Sequence, residues 1–78
     1  MEKTTVMRLV SDEVDDAVKL NKPYNSPHEG YAVILEELDE LKTEVWKKHH
    51  LRDQDLMAAE AIHVAATAIR FLIDCIDK

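Results

Sequence analysis

The chain has 78 residues and contains little of what makes turns or cross-links: one glycine, two prolines and one cysteine, with only 5% aromatic residues. A sequence of closely spaced strands would need a turn every few residues, so these scarcities exclude most all-β folds and favour an all-α fold. A single cysteine, Cys75, can form neither an internal disulfide nor a cysteine-rich zinc site. Because so short a chain buries a small core, we expect association between chains to supplement it.

The sequence also lacks a long uninterrupted apolar run and an excess of positive charge. No leading segment pairs basic with apolar residues, so the lone thiol fits a reducing compartment and we expect a cytoplasmic protein. The most apolar stretch, 58–76, is interrupted by Glu60, His63, Arg70 and Asp74, which favours a buried helix over a membrane span. The net charge of -6 disfavours binding to nucleic acid through a basic face. A small phosphorylated ligand bridged by a cation remains compatible with it.

The periodicity predicts one domain, residues 1–78, with three helices. The first runs from about Lys3 to Leu20, and its valines recur at helical spacing. The second follows a capping box, in which Ser26 is the N-cap and Glu29 reaches back from the third position, and continues to about Lys48. Asp53 is the expected N-cap of the third helix, which ends near residue 76.

The second helix separates an apolar arc from a row of carboxylates. At 100° per residue the arc, expected to be the core face, comprises Ile34, Leu38, Leu41 and Val45, flanked by Tyr31, Leu35 and Trp46. The opposite side comprises Glu29, Glu36, Glu37, Glu40 and Glu44. Such a row is usually a solvated helix face. Its neighbouring glutamates repel each other, however, few lysines offset them, and Glu37 borders the apolar arc, where a carboxylate needs a partner or a cation.

The third helix has a narrow polar strip that includes Glu60 and His63. In an antiparallel hairpin of the second and third helices, Glu37 and Glu40 could meet these two residues. Carboxylate oxygens suit Mg²⁺, and a histidine shifts the preference towards Mn²⁺ or a later transition metal. The sequence therefore predicts a metal site between two helices.

Two segments carry a resemblance to a known family: HEGYAVILEELDEL at 28–41 and EAIHVAA at 60–66. Together they resemble the MazG-like family of all-α nucleoside triphosphate pyrophosphohydrolases, over roughly the last two thirds of the chain. That family has an EExxE motif followed on the next helix by ExxD, and the acids bind Mg²⁺ in bundles assembled from two or more chains. The resemblance implies hydrolysis of a nucleoside triphosphate to a monophosphate and pyrophosphate, by a homodimer or homotetramer.

By position, Glu36, Glu37 and Glu40 match the first motif and Glu60 matches the glutamate of the second. His63 stands where the family has aspartate, and it can bind a metal only as neutral imidazole. The expected ligands are Glu37, Glu40, Glu60 and His63, and Glu36 is the expected general base.

Other side chains have less specific interpretations. The cations Lys47, Lys48, Arg52 and Arg70 are candidate phosphate contacts, but each is more typical of a surface or a helix end. Tyr24 and Trp46 could stack on a base, although packing is the commoner role of such aromatics.

Two alternatives stay open. Glu60-x-x-His63 has the ExxH spacing of di-iron carboxylate bundles, which two copies of the hairpin could build. Alternatively, the chain is a non-catalytic assembly or binding module with a solvated glutamate row and His63 in an alanine-rich core.

Overall fold

The structure, a computed structural model, describes residues 1–77. It contains three α-helices, α1 (Lys3–Leu20), α2 (Pro27–Val45) and α3 (Gln54–Cys75), and a short 3₁₀ turn at His49–Leu51. The described residues form no strand, which confirms the expected all-α class with three helices.

The ends of α2 and α3 are set by local hydrogen bonds that the sequence predicts. Ser26 Oγ accepts from the Glu29 amide at 3.1 Å, which confirms the N-cap. The Glu29 carboxylate turns back to the backbone and side chain of Asn25, one residue before the position a standard capping box would use. Asp53 Oδ1 accepts from two amides at the start of α3, as expected. Arg52 Nε donates to the Val45 carbonyl at 2.9 Å and so satisfies one of the free carbonyls at the C-terminal end of α2.

Helix α3 is the central element of the fold. It packs against both α1 and α2, whereas α1 and α2 do not pack against each other. The buried cluster lies between α1 and α3 and is formed by Val10, Val14 and Ala66. The early part of α2 lies beside the late part of α3, and the middle of α2 beside its early part, so α2 and α3 form the predicted antiparallel hairpin.

Gly30 allows α2 to approach α3 closely. A Cβ atom at this position would lie 2.7 Å from Cδ2 of Phe71 and 3.0 Å from Cδ2 of Tyr24. Any larger residue must displace one of these rings, so the helix contact depends on glycine here.

The predicted core face of α2 is wrong for the single chain. Of that arc, Tyr31, Leu35, Leu38 and Trp46 are exposed, and the rest is only half-buried. The helix instead turns the side with Gly30 and Glu37 towards α3, because the missing side chain at residue 30 permits the closest approach on that side. The exposed side of α2 with Leu35 and Leu38, the leucine face, consequently has no partner among residues 1–77.

The C-terminal end of α3 also exposes apolar side chains, Leu72 and Ile73, and Ile76 directly after the helix is exposed as well. By length and composition α3 is also the one described helix apolar enough to cross a membrane, a test that core helices of water-soluble proteins pass as well. Its polar strip faces the site described below. The expected cytoplasmic location stays a prediction.

Candidate metal centre

A cleft lies between α1 and α2, with α3 as its floor, because both helices contact α3 but not each other. Its volume is about 460 Å³. Glu13, Glu37 and His63 line one part of it, and Tyr24 and Arg70 line another. The connector between α1 and α2 closes the cleft on the side of Tyr24.

Three of the predicted ligands converge on one point, and two of them, Glu37 and His63, line this cleft. One ligand atom each of Glu37, Glu60 and His63 lie within 4.8 Å of one another. His63 Nδ1 lies 3.7 Å from Glu37 Oε2 and 3.6 Å from Glu60 Oε2. The hairpin therefore brings α2 and α3 together at the residues that the sequence singled out.

The two carboxylate oxygens that face His63 are fully enclosed and accept no hydrogen bond. They are Glu37 Oε2 and Glu60 Oε2, and no other side-chain nitrogen or oxygen in residues 1–77 has this status. A buried carboxylate oxygen normally has a donor or a cation beside it, because desolvation without a partner is costly. The site is thus electrostatically incomplete as it stands.

The surroundings of Glu37 shift the pKa of its carboxyl. Burial raises the pKa of the Glu37 carboxyl, the neighbouring carboxyls of Glu40 and Glu60 raise it further, and His63 acts in the opposite sense. The neighbouring carboxyls thus disfavour the ionised form of Glu37, and a positive charge beside it would favour that form.

Glu13 on α1 is a site residue that sequence reasoning missed. Its Oε1 lies 3.5 Å from Nε2 of His63, on the ring side opposite to Glu37 and Glu60. The signal was present: at helical spacing, residue 13 borders the stripe of Val10, Val14 and Ala17 that packs towards α3. The first helix thereby joins a site expected to involve only the second and third.

The remaining acids of the row have separate positions. Glu40 is exposed and contacts the cluster through Glu37, but it is outside the group of convergent ligand atoms. Glu36 is exposed and also outside that group, so its role as general base stays a prediction. Glu29 bonds Asn25, and Glu44 pairs with Lys47 at 2.8 Å, so both carboxylates already have partners outside the cluster.

The structure corrects the interpretation of Arg70 as a surface cation. Arg70 is 6% exposed, and its guanidinium carbon lies 4.5 Å from the centroid of the Tyr24 ring. Tyr24 is buried, and its hydroxyl donates to the Thr67 carbonyl at 3.3 Å, which bears out a packing role. Trp46 is exposed, with the Lys42 ammonium 5.8 Å from the centroid of its ring.

Comparison of the chain with protein-family models, curated proteins and solved structures finds no match. The resemblance to the MazG-like family therefore stays a prediction from the two segments at 28–41 and 60–66.

Proposed function

We propose that this chain is a metal-dependent nucleoside triphosphate pyrophosphohydrolase that releases a nucleoside monophosphate and pyrophosphate. The single observation that carries the proposal is the pair of enclosed, unbonded oxygens of Glu37 and Glu60, both directed at His63. The two sequence segments that resemble the MazG-like family contain these three residues.

The donor set fits a divalent cation. Two neighbouring ligand atoms bound to one ion at about 2.1 Å lie roughly 3 Å apart in an octahedron. His63 Nδ1 lies 3.7 Å from Glu37 Oε2 and 3.6 Å from Glu60 Oε2, so a shift of less than about 1 Å in each side chain would bring the three atoms to a shared ion. Two carboxylates with one imidazole suit Mg²⁺ less well than an all-oxygen site, so Mn²⁺ is the stronger candidate to support activity beside Mg²⁺.

The roles of the protein residues follow from their positions. Glu37, Glu60 and His63 would hold the ion, and the nearby negative charge of Glu40 would add to its electrostatic attraction. A divalent ion there would neutralise phosphate charge and acidify water. Glu36, on the exposed side of the same helix turn, is the candidate to take a proton from the attacking water.

The assembly we propose is a homodimer or homotetramer. The exposed residues Tyr31, Leu35 and Leu38 recur along one face of α2, and soluble monomers rarely expose large contiguous apolar patches. A cavity of about 450 Å³ between the start of α2 and Phe71 adjoins this face and has an almost wholly apolar lining. A second copy is the occupant that an all-α bundle of this small size would need.

The test measures the release of pyrophosphate from a panel of nucleoside triphosphates with Mg²⁺ or Mn²⁺, together with thermal stability in each metal. We expect turnover that needs metal and a melting temperature that rises with metal. Glu37→Gln and Glu60→Gln should abolish both effects, because each removes a ligand charge. Glu36→Gln should keep the metal-dependent rise in melting temperature and lower kcat by about 10² to 10⁴.

Asp39→Asn is the matched control, since Asp39 is an exposed acid on the same helix outside the cluster. This variant should show the same turnover and the same metal-dependent rise in melting temperature as the wild type. His63→Asp restores the family pattern and should tighten Mg²⁺ binding, because it replaces a neutral ligand by a charged one. Unchanged melting in both metals and no pyrophosphate from any nucleotide would overturn the proposal.

One observation favours a second candidate, a di-iron carboxylate bundle. Glu37 with Glu60 and His63 is the donor set that each half of such a site uses, one glutamate from one helix and an ExxH pair from the next. A second copy of the hairpin would supply the other half. Iron in the purified protein, with an absorption band that appears in air, would identify this function in place of the first.

A further inference from the structure

The cleft is lined by a buried arginine side chain that has no role in the proposed metal chemistry. Arg70 lies on α3 and lines the cleft together with Glu37 and His63. Its side chain is nine-tenths buried, which is rare for an arginine without a paired acid.

No carboxylate in residues 1–77 lies within 4.0 Å of the Arg70 nitrogens, so the charge has no ion-pair partner in the described chain. Nη2 donates to the Lys22 carbonyl at 3.2 Å, and the guanidinium stacks on Tyr24. Asp74, one turn further along α3, accepts instead from the Tyr24 amide at 3.0 Å. An arginine has five N–H donors, and one bond to a carbonyl leaves most of them unused.

The unused donors of Arg70 remain reachable from the cleft. Only two side-chain atoms of the described chain are fully enclosed and lack a hydrogen bond, and both are glutamate oxygens. The Arg70 nitrogens that make no hydrogen bond therefore keep some contact with solvent. The stack on Tyr24 and the bond to Lys22 O hold the guanidinium in one orientation, which lowers the entropy lost when it binds a ligand.

The position of Arg70 relative to the cluster points to the kind of ligand. His63 and Arg70 are seven residues apart on α3, or about 10 Å along the helix axis at 1.5 Å per residue. A single phosphate could not reach both, whereas a polyphosphate chain or a nucleotide could. The cleft thus has the acidic cluster at one end and the Arg70 guanidinium at the other, and its lining also includes Lys22 and Glu29.

We propose that Arg70 binds a phosphate of the ligand at the end of the cleft away from the acidic cluster, and that Tyr24 positions its guanidinium. Arginine suits this role because its planar fork donates two parallel hydrogen bonds to phosphate oxygens. The extension to a nucleoside triphosphate substrate rests on the proposed function, whereas phosphate binding by Arg70 does not.

The first experiment measures binding of inorganic tripolyphosphate to the metal-free protein in EDTA by calorimetry. Wild-type protein should bind it, and Arg70→Gln should weaken binding about tenfold or more, the effect of losing a charge-assisted hydrogen bond. Arg70→Lys should recover part of the affinity. Arg8→Gln, which changes an exposed arginine on α1, is the control and should bind as the wild type does.

The second experiment separates a ligand role from a structural one. Arg70→Gln should leave the affinity for Mn²⁺ alone unchanged and raise KM for the nucleotide more than it lowers kcat. Tyr24→Phe keeps the ring under the guanidinium and removes only the bond to Thr67 O, so it should retain tripolyphosphate binding. If Arg70 variants fail to fold, the Nε–Hε NMR signal of Arg70 in the wild type should shift when tripolyphosphate is added.

Each result has a distinct meaning. Tripolyphosphate binding by Arg70→Gln equal to that of the wild type, or an unshifted Arg70 signal at saturating tripolyphosphate, overturns this inference and leaves the proposed hydrolysis standing. Absence of turnover and of metal binding, with tripolyphosphate still bound through Arg70, overturns the proposed function alone.

Discussion

The two nitrogens of His63 face different helices, and Glu13 of α1 lies 3.5 Å from Nε2. The other nitrogen, Nδ1, faces Glu37 and Glu60. If Nδ1 binds the ion, Nε2 keeps its proton and points it at a carboxylate, an arrangement that fixes the ring and its tautomer in many metal sites. Glu13 is then a positioning residue for His63 rather than a ligand.

Glu13→Gln should therefore weaken Mn²⁺ binding about 10-fold to 100-fold, the usual effect of losing such a carboxylate partner of a histidine ligand. Calorimetric titration with Mn²⁺ measures the change. Asp12→Asn, which alters an exposed acid on the same helix, should leave the affinity unchanged. Equal affinities for the wild type and Glu13→Gln would show that His63 is oriented without Glu13.

Glu37→Gln should stabilise the metal-free protein at neutral pH while it removes the response to metal. Because folding raises the pKa of Glu37 above its ordinary 4.5, the stability that this group contributes is present below 4.5 and is lost as the pH rises through its folded pKa. Glutamine cannot ionise, so the variant avoids the loss of stability that ionised Glu37 causes at pH 7. We expect a gain of about 1 kcal/mol in the free energy of unfolding.

This gain corresponds to a rise of roughly 4–8 °C in melting temperature for a domain of this size. Thermal denaturation followed by circular dichroism in EDTA, at pH 7 and at pH 4, measures it. The difference between the variant and the wild type should shrink at pH 4. A variant less stable than the wild type at pH 7 would mean that the ionised Glu37 has a favourable partner in the metal-free protein.

Gly30→Ala should destabilise the fold although alanine favours helix. A Cβ atom would lie 2.7 Å from the Phe71 ring, so the ring or the helix must move. Overpacking of this kind costs about 1–3 kcal/mol, against a gain of roughly 1 kcal/mol in helix propensity. A lower melting temperature is expected, and Gly30→Ala should cost less in a Phe71→Ala background, where only the Tyr24 ring, at 3.0 Å, remains close to the added Cβ atom. An equal loss of stability with and without the Phe71 ring would contradict this explanation.

Leu38→Glu should dissociate the proposed oligomer. Leu38 is 47% exposed on the leucine face of α2, and a charge buried in an interface would cost roughly 2 kcal/mol or more of association free energy. Light scattering coupled to size-exclusion chromatography should find a dimer or tetramer for the wild type and a monomer for the variant. Thr43→Glu adds the same charge at another exposed position of α2 and should remain associated. If the wild type is a monomer, the proposed homodimer or homotetramer is wrong.

The sequence by itself determined the helices and the pairing of the second with the third. Ser26 and Asp53 act on amides only two or three residues away, so the starts of α2 and α3 are local properties. The antiparallel hairpin then brings Glu37 to the level of Glu60 and His63, and this much of the candidate site follows from spacing along two helices.

Only the tertiary structure decided which side of α2 meets α3 and what α1 adds. Periodicity identifies an apolar face but not the element that packs on it, so the sequence predicts that the leucine face of α2 lies in the core. In the structure the close contact at Gly30 directs Glu37 towards α3 and leaves Leu38 exposed. The sequence did not predict that Glu13 and Arg70 line the cleft, for a related reason. Their positions depend on how α1 and the connector lie on α3, and these non-local contacts leave no local pattern in the sequence.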